Sequence, residues 1–334
     1  MTSPSSYDTI FATTIESRSK KLADNITKNN ALLNRLSAKN KIRPVDGGSK
    51  ILEELEYGQG SMVWYTGFDT IAYTGPELFS AAEFALKLCA VPVAISGEEM
   101  LKNSGQSRMI DLFEKRISNA EKTMANKISE ALYSDGTGNS GKEIGGLKLL
   151  IADDPTSGTV GGINRATSGN EFWRNKSKVI SASANALTSS TILGAMNEVY
   201  LKCSRGVDKP DLIVTDDYLY DLYEQALQPQ QRFNDPKLAE AGFQNLKYKG
   251  ADVIFDGGQG GNCPTKHMYF INTNYLYLRP HKERNFKVIG GERMAINSDA
   301  IYKIIGWAGN LTMSNASLQG VLVDYIAPAV VGEN

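Results

Sequence analysis

The sequence predicts an α+β fold, in which helices and short strands occupy different stretches of the chain. Apolar residues recur at helical spacing upstream of residue 133, which predicts one long amphipathic helix. Short strand-like runs separated by glycines fill residues 45–78, and helical and strand-like patterns alternate in the second half. With 334 residues and 41% hydrophobic content, the chain can bury a sizeable core.

Residues 1–44 are predicted to form an N-terminal arm with an excess of positive charge. Residues 17–43 contain eight basic residues and one acid, a local charge of +7. A solvated helical face accounts for most such runs. The sharper interpretation is an arm that contacts neighbouring subunits or an acidic partner. Its candidate contact residues are Arg18, Lys20, Lys21, Lys28 and Arg35.

Residues 45–78 are predicted to form an extended β-hairpin loop, with strands at 50–57, 61–65 and 69–73. So thin an element has little core of its own, so its aromatic side chains need a covering surface. That surface is either the body of this chain or another subunit. The candidate inter-subunit contacts are Glu53, Glu54, Glu56, Trp64, Tyr65, Phe68 and Tyr73.

Residues 79–178 are predicted to form one domain around the long helix, placed at 107–133. A short helix at 78–88 and an apolar strand at 90–96 precede it. Asp135 and Gly136 mark its end, where glycine accepts the left-handed conformation that often terminates helices. The loop that follows is expected to bury Trp173 as a plug.

The glycine-rich run after this helix allows a second interpretation. Gly136, Gly138 and Gly141 fit the GxGxxG pattern of a dinucleotide-binding loop, which suggests a nucleotide-dependent oxidoreductase. That function requires a strand before the loop and a helix after it, so that the helix N-terminus binds the phosphates. Here a helix comes first. We therefore expect a helix terminus and no cofactor.

The second half is predicted as a domain at 179–260 and a set of return strands at 261–334. Helices are expected at 190–203 and 218–227, and a strand at 212–214. Asp216 and Asp217 are expected to cap the second helix, although paired acids also occur at metal or acid/base sites. Further strands are predicted at 251–255, 268–271, 275–278, 286–289, 300–307 and 321–323.

Composition argues against several function classes. The net charge of −1 gives no global attraction to nucleic acid or anionic membranes. Three cysteines and two histidines offer little for disulfides, metal binding or histidine-based catalysis. No run is long and apolar enough for a membrane span, and the first residues lack a signal pattern. We expect a non-enzymatic protein without metal or cofactor.

The order of these segments resembles the major capsid proteins of tailed bacteriophages, which have the HK97-type fold. The resemblance covers essentially the whole chain. It rests on the basic arm before Pro44, the glycine-bounded hairpin at 46–75, the run at 90–99, and residues 133–138 with 144–147. The stretches at 161–165, 172–175 and 270–276 strengthen it.

The resemblance implies a structural function. The arm would reach a neighbour, the hairpin (the E-loop) would lie over an adjacent subunit, and the long helix would be the spine of a peripheral domain. The second half would supply an axial domain. Such subunits form pentamers and hexamers of an icosahedral head around double-stranded DNA, are assembled in the host cytoplasm and remain in the virion.

The implied partners are a separate scaffolding protein, a portal and possible decoration proteins. Lys50 lies in the hairpin, but no asparagine partner or assisting acid is identifiable, so we predict no covalent cross-link. Within the same fold, the alternative function is the shell of an encapsulin-type nanocompartment, which encloses enzyme cargo instead of DNA.

Overall fold

The structure, a computed structural model, describes residues 31–58, 62–70, 79–102, 106–231, 246–257, 261–294 and 299–326. It mixes helices and sheets, as predicted. The helices are α1 (Ala31–Ala38), α2 (Gly97–Lys102), α3 (Gln106–Ala131), α4 (Leu147–Leu150), α5 (Ile192–Lys202) and α6 (Asp217–Gln231). The strands are β1 (Lys50–Glu56), β2 (Phe79–Ala85), β3 (Lys87–Ser96), β4 (Thr159–Val160), β5 (Ile163–Asn164), β6 (Lys176–Val179), β7 (Leu212–Thr215), β8 (Leu246–Tyr248), β9 (Ala251–Phe255), β10 (His267–Ile271), β11 (Leu276–Pro280), β12 (Lys287–Met294), β13 (Ala300–Met313) and β14 (Gly320–Val323).

A six-stranded sheet in the order β6-β14-β10-β7-β9-β8 separates two hydrophobic cores. Successive side chains of a strand point to opposite faces. Accordingly Ile213 and Phe270 pack with α5 and α6 on one face, whereas Val214 and Tyr269 join the larger core on the other. Because both faces are covered, all four residues of β7 are buried.

The second sheet is built around the long strand β13. β3 pairs along one of its edges, and β11 and β12 share the other. Helix α3 packs against β3 through a stripe at helical spacing. The stripe includes the buried side chains of Ile117, Met124 and Ile128. The predicted long helix is confirmed, with bounds of 106–131 instead of 107–133.

The prediction of a helix at 78–88 is wrong over the described residues, because 79–85 form β2 and 87–88 begin β3. β2 pairs antiparallel with β1, from Lys50 opposite Ala85 to Glu56 opposite Phe79. Ala82 and Phe84 are buried while Glu83 between them is exposed, which is strand periodicity. The alanine-rich sequence favours helix, but pairing with β1 and burial of one face override that weak preference.

The hairpin prediction also needs correction. The partner of β1 is β2, which lies beyond the predicted boundary at residue 78. The strand predicted at 61–65 is absent over 62–65, and residues 69–70 are not in a strand either. Residues 71–73 of the third predicted strand lie outside the described residues.

The last part of the predicted arm belongs to the body of the chain. Leu32, Leu33 and Leu36 of α1 are buried in the larger core. The backbone amides of Arg43 and Val45 donate to the carbonyls of Leu278 and Pro280 at 2.9 and 2.8 Å. Residues 31–38 are therefore held in the larger core and residues 41–45 against β11, and an arm function of residues 1–44 stays a prediction.

The helices and strands predicted in the second half are confirmed with small changes of bounds, and β13 extends to Met313. Asp216 caps α6 as predicted, since its Oδ1 accepts from the amide of Leu219 at 3.1 Å. Among the described helices, none combines the length and apolarity needed to cross a bilayer.

Candidate inter-subunit surface

The inner face of the β1–β2 hairpin is tied to the β13 sheet by a buried ion pair. Arg279 of β11 donates Nε to Glu53 Oε1 at 2.8 Å and Nη2 to Oε2 at 3.0 Å. The hydroxyl of Thr312 donates to the same Oε1 at 2.8 Å. Such a bidentate pair fixes orientation as well as distance. Glu53 was predicted as an inter-subunit contact, and this is wrong: alternation along β1 turns its carboxylate inward.

The outer face of the hairpin is acidic and apolar. Glu54 and Glu56 point to solvent on β1, as expected for inter-subunit contacts. Phe79 on β2, opposite Glu56, is 71% exposed, and Leu52 is 60% exposed. This face therefore offers both charge and apolar area to a partner.

The described loop at 62–70 carries the most exposed aromatic side chains of the structure. Trp64 is 86% exposed and Phe68 is 107% exposed, and Tyr65 beside them is also exposed. The loop turns at Gly67, and the amide of Thr66 donates to Asp69 Oδ2 at 3.0 Å. Tyr73 lies outside the described residues. Aromatic side chains so fully presented to solvent are typical of interaction sites.

The base of the hairpin rests on a rigid support. Tyr57, just after β1, stacks on Phe172 with ring centroids 4.6 Å apart. The neighbouring Trp173 is buried and its indole donates to the carbonyl of Val160 at 2.9 Å, so the predicted plug is confirmed. Loop 62–70 is thus carried by an element whose root is well fixed.

Arg165 holds this support together from the inside. Its buried guanidinium donates to the carbonyls of Trp173, Leu149 and Leu150. Burial lowers its pKa to about 10, so it stays charged at neutral pH. Sequence reasoning missed this function, because nothing local distinguishes Arg165 from a surface arginine.

The basic residues of the predicted arm are only partly described. Arg18, Lys20, Lys21 and Lys28 lie outside the described residues. Arg35 pairs with Asp252 of its own chain at 3.5 Å, and its contact with another subunit stays a prediction. Lys41 and Arg43 lie over the ring of Tyr277, 5.7 and 4.8 Å from its centroid.

An open groove of about 970 Å³ lies between β3 and the C-terminal part of α3. Met124, Ile128 and Trp307 give it an apolar lining. Its lysines include Lys87 and Lys142. Glu130, Asp135 and Glu143 also line the groove, so its rim carries both signs of charge around the apolar lining.

The residues after α3 form a closed joint. The amides of Gly146 and Leu147 donate to the carbonyls of Ser134 and Leu132 at 3.0 and 2.7 Å, which satisfies the carbonyls at the helix end. Asp135 Oδ1 accepts from the amide and hydroxyl of Thr137 at 3.0 and 2.6 Å. The Thr137 hydroxyl, and then its amide, lower the pKa of Asp135.

Two glycines after α3 adopt left-handed backbone conformations. Gly136 has φ +75° and Gly141 has φ +76°, and Asn139 and Ser140 between them are also left-handed. The run follows helix α3, so the strand–loop–helix order of a dinucleotide site is not met here. The helix ends at Ala131, five residues before Gly136, so the left-handed Gly136 belongs to the turn that follows the helix and not to its last turn.

Replacing Gly136 by valine is expected to destabilise the subunit by roughly 1–3 kcal/mol, because a β-branched residue is strained at positive φ. A Cβ at this position would also lie 3.2 Å from the Cα of Gly145. Chemical unfolding of the subunit measures the loss. Gly141→Val is the matched control, since it has the same φ but meets nothing within 4 Å. Equal losses would show that the contact with Gly145 contributes nothing.

Solved structures resemble the chain over most of its length, whereas no protein-family model and no curated protein matches it. The capsid asymmetric unit of cyanophage A-1(L) aligns with a TM-score of 0.62 and 18% identity, over 86% of this chain and 90% of that chain. The chain has the fold of phage capsid structures. The capsid of a native GTA particle aligns at 0.59 and 9% identity, over 87% and 90%. The capsid of Myoviridae phage XM1 aligns at 0.51 and 12%, over 86% and 91%.

At these identities the likeness establishes the fold. It extends over 86–87% of this chain and 90–91% of the matched chains. The resemblance inferred from the sequence, to a capsid protein of a tailed phage, is confirmed at that level.

Proposed function

We propose that this chain is the major capsid protein of a tailed phage, which self-assembles into a closed head around double-stranded DNA. The observation that carries the proposal is the exposed aromatic loop at 62–70, presented by a firmly rooted hairpin in a chain with a capsid fold. A monomer gains nothing from exposing Trp64 and Phe68, whereas a shell subunit covers them with a neighbour. Obligate interfaces of this kind bury on the order of 2,000 Å² or more in total.

The parts of the HK97-type fold map onto the chain as follows. The basic N-terminal residues serve as the arm, and the β1–β2 hairpin with loop 62–70 is the E-loop. The β13 sheet with α3 as its spine forms the peripheral domain. The six-stranded sheet with α5 and α6 forms the axial domain, which meets its copies in pentamers and hexamers.

The E-loop of one copy lies over an adjacent copy, and the groove between β3 and α3 is a fitting receptor. Lys87 and Lys142 of the groove complement Glu54 and Glu56 on the hairpin. The apolar lining complements the aromatic side chains of the loop. Opposite charges at the rim and apolar burial at the centre are the usual anatomy of a specific interface.

The remaining partners follow from the capsid function. A separate scaffolding protein, a portal and possible decoration proteins complete the head, which is assembled in the host cytoplasm and becomes part of the virion. Lys41 and Arg43 continue the basic arm and suit non-specific contact with phosphate groups of the packaged DNA. The function is structural, with no catalytic step.

Electron microscopy of the purified, concentrated chain tests this function. We expect closed shells, rings or tubes of one repeated subunit. Particles recovered from infected cells should hold nuclease-protected DNA; a folded enzyme cargo in its place would indicate a nanocompartment. A chain that stays monomeric and instead binds a dinucleotide saturably would contradict the proposal.

A further inference from the structure

The buried ring of His267 faces two hydrogen-bond acceptors at once. Its Nδ1 lies 2.7 Å from the carbonyl oxygen of Thr265, and its Nε2 lies 3.2 Å from Oδ2 of Asp153. A neutral imidazole has a single N–H, so one of its nitrogens would present a lone pair to an acceptor. Only the doubly protonated imidazolium can donate to both. The geometry alone therefore favours the charged ring.

This pair joins two separate parts of the fold. His267 begins β10 in the middle of the six-stranded sheet, and Asp153 lies just after α4. The adjacent Ala152 is held by Asn175, whose Oδ1 accepts at 3.1 Å and whose Nδ2 donates at 2.8 Å. The segment after α4 is thus held at two points. The hydrogen bonds from Asn175 to Ala152 do not depend on pH, whereas the contact between Asp153 and His267 depends on the charge of the imidazole ring.

Other groups around the ring do not replace this contact. Lys148 of α4 acts against protonation of His267, and Asp216 at the β7–α6 junction attracts its charge. Tyr269 stacks on the ring at 6.0 Å, and the Cys263 thiol donates to the His267 carbonyl. Burial raises the pKa of both Tyr269 and Cys263, so they stay neutral.

The protonation balance of His267 itself agrees with the geometry. Burial lowers its pKa, but the hydrogen bonds to Asp153 and Thr265 outweigh this and raise the pKa above the ordinary 6.5. Asp153 Oδ1 is buried and has no partner within the described residues. The carboxylate therefore depends on His267 for its described side-chain contact.

We propose that His267 and Asp153 form a pH-sensitive latch that holds the segment after α4 against the six-stranded sheet. A group with a raised folded-state pKa stabilises the fold fully below its unfolded pKa, and this contribution is lost as the pH rises through the folded value. The latch is therefore closed at mildly acidic pH and weakens towards alkaline pH. It lies inside one subunit and does not require the capsid function.

The test uses hydrogen exchange on the intact chain. Deuterium exchange at the histidine C2 position, read by mass spectrometry, gives the pKa of each of the two histidines, and His267 is expected above 6.5. Amide exchange of peptides covering residues 151–158, corrected for intrinsic rates, should lose protection between pH 6 and pH 8.5. If the folded-state pKa of His267 lies one unit above its unfolded value, amide protection should fall about tenfold over this pH range.

Two variants separate the latch from general effects of pH. Asp153→Asn should lower the pKa of His267 and remove the pH dependence of protection, because an amide can donate to the neutral Nε2. His281→Gln, which changes the other histidine, should leave the pKa of His267 and the pH dependence of amide protection unchanged. A His267 pKa at or below 6.5, or the same pH dependence in Asp153→Asn, would overturn the proposal.

Discussion

Replacing Arg279 by methionine is expected to lower the free energy of unfolding of the subunit by about 3–5 kcal/mol, because it leaves the buried carboxylate of Glu53 without its counter-charge. Glu53 is 6% exposed and keeps only the hydroxyl of Thr312 as a described donor from β13. Chemical unfolding of the unassembled subunit measures the loss. The hairpin should detach from the β13 sheet first, since this pair ties the two together.

The same hairpin offers a matched control. Lys50 and Glu83 form an ion pair on its outer face, with side chains 54% and 45% exposed. Lys50→Met should cost less than about 1 kcal/mol, because solvent screens an exposed pair. The double variant Glu53→Gln with Arg279→Met should recover much of the loss, since no charge remains buried. Equal effects of Arg279→Met and Lys50→Met would refute the assigned function of the buried pair.

Replacing both Trp64 and Phe68 by serine is expected to abolish assembly while the subunit stays folded. Both side chains are almost fully exposed in the subunit, so its own unfolding free energy should barely change. Burying each contributes about 1.5–3 kcal/mol, so each inter-subunit contact weakens about a hundredfold or more. Sedimentation of the assembled fraction and circular dichroism of the subunit measure the two properties.

A conservative double variant is the control for this prediction. Trp64→Tyr with Phe68→Tyr retains most of the aromatic area and should still assemble. Serine variants that assemble as the natural chain does would mean that loop 62–70 is not an interface. Serine variants that unfold would mean that the loop supports the subunit itself.

Local signals in the sequence predicted the elements with strong periodicity. Helix α3 shows a long apolar stripe, so it was predictable, whereas its end at Ala131 comes before the glycine that was expected to mark it. Trp173 was predictable as a plug because the loop around it lacks the interleaved basic and aromatic residues of a base-binding surface. The exposed aromatics of the hairpin were predictable from the thinness of the element that carries them.

Long-range pairing set the limit of sequence reasoning. The alanine-rich β2 was predicted as a helix, because its partner β1 lies across a loop that no local signal spans. Glu53 was predicted as a contact to another subunit, because Arg279 lies 226 positions away. The pair between Arg35 and Asp252 was missed for the same reason. Glu53, Glu54 and Glu56 looked alike in the sequence. The register of β1 decides that Glu53 lies on the inner face and the other two on the outer face.

A cryo-electron microscopy map of the assembled particle tests the central claim most directly. We expect loop 62–70 of each copy to lie against an adjacent copy, with Trp64 and Phe68 buried and the hairpin's outer face near lysines of the neighbouring groove. A particle in which both aromatic side chains face solvent, or a chain that forms no particle at all, would contradict it.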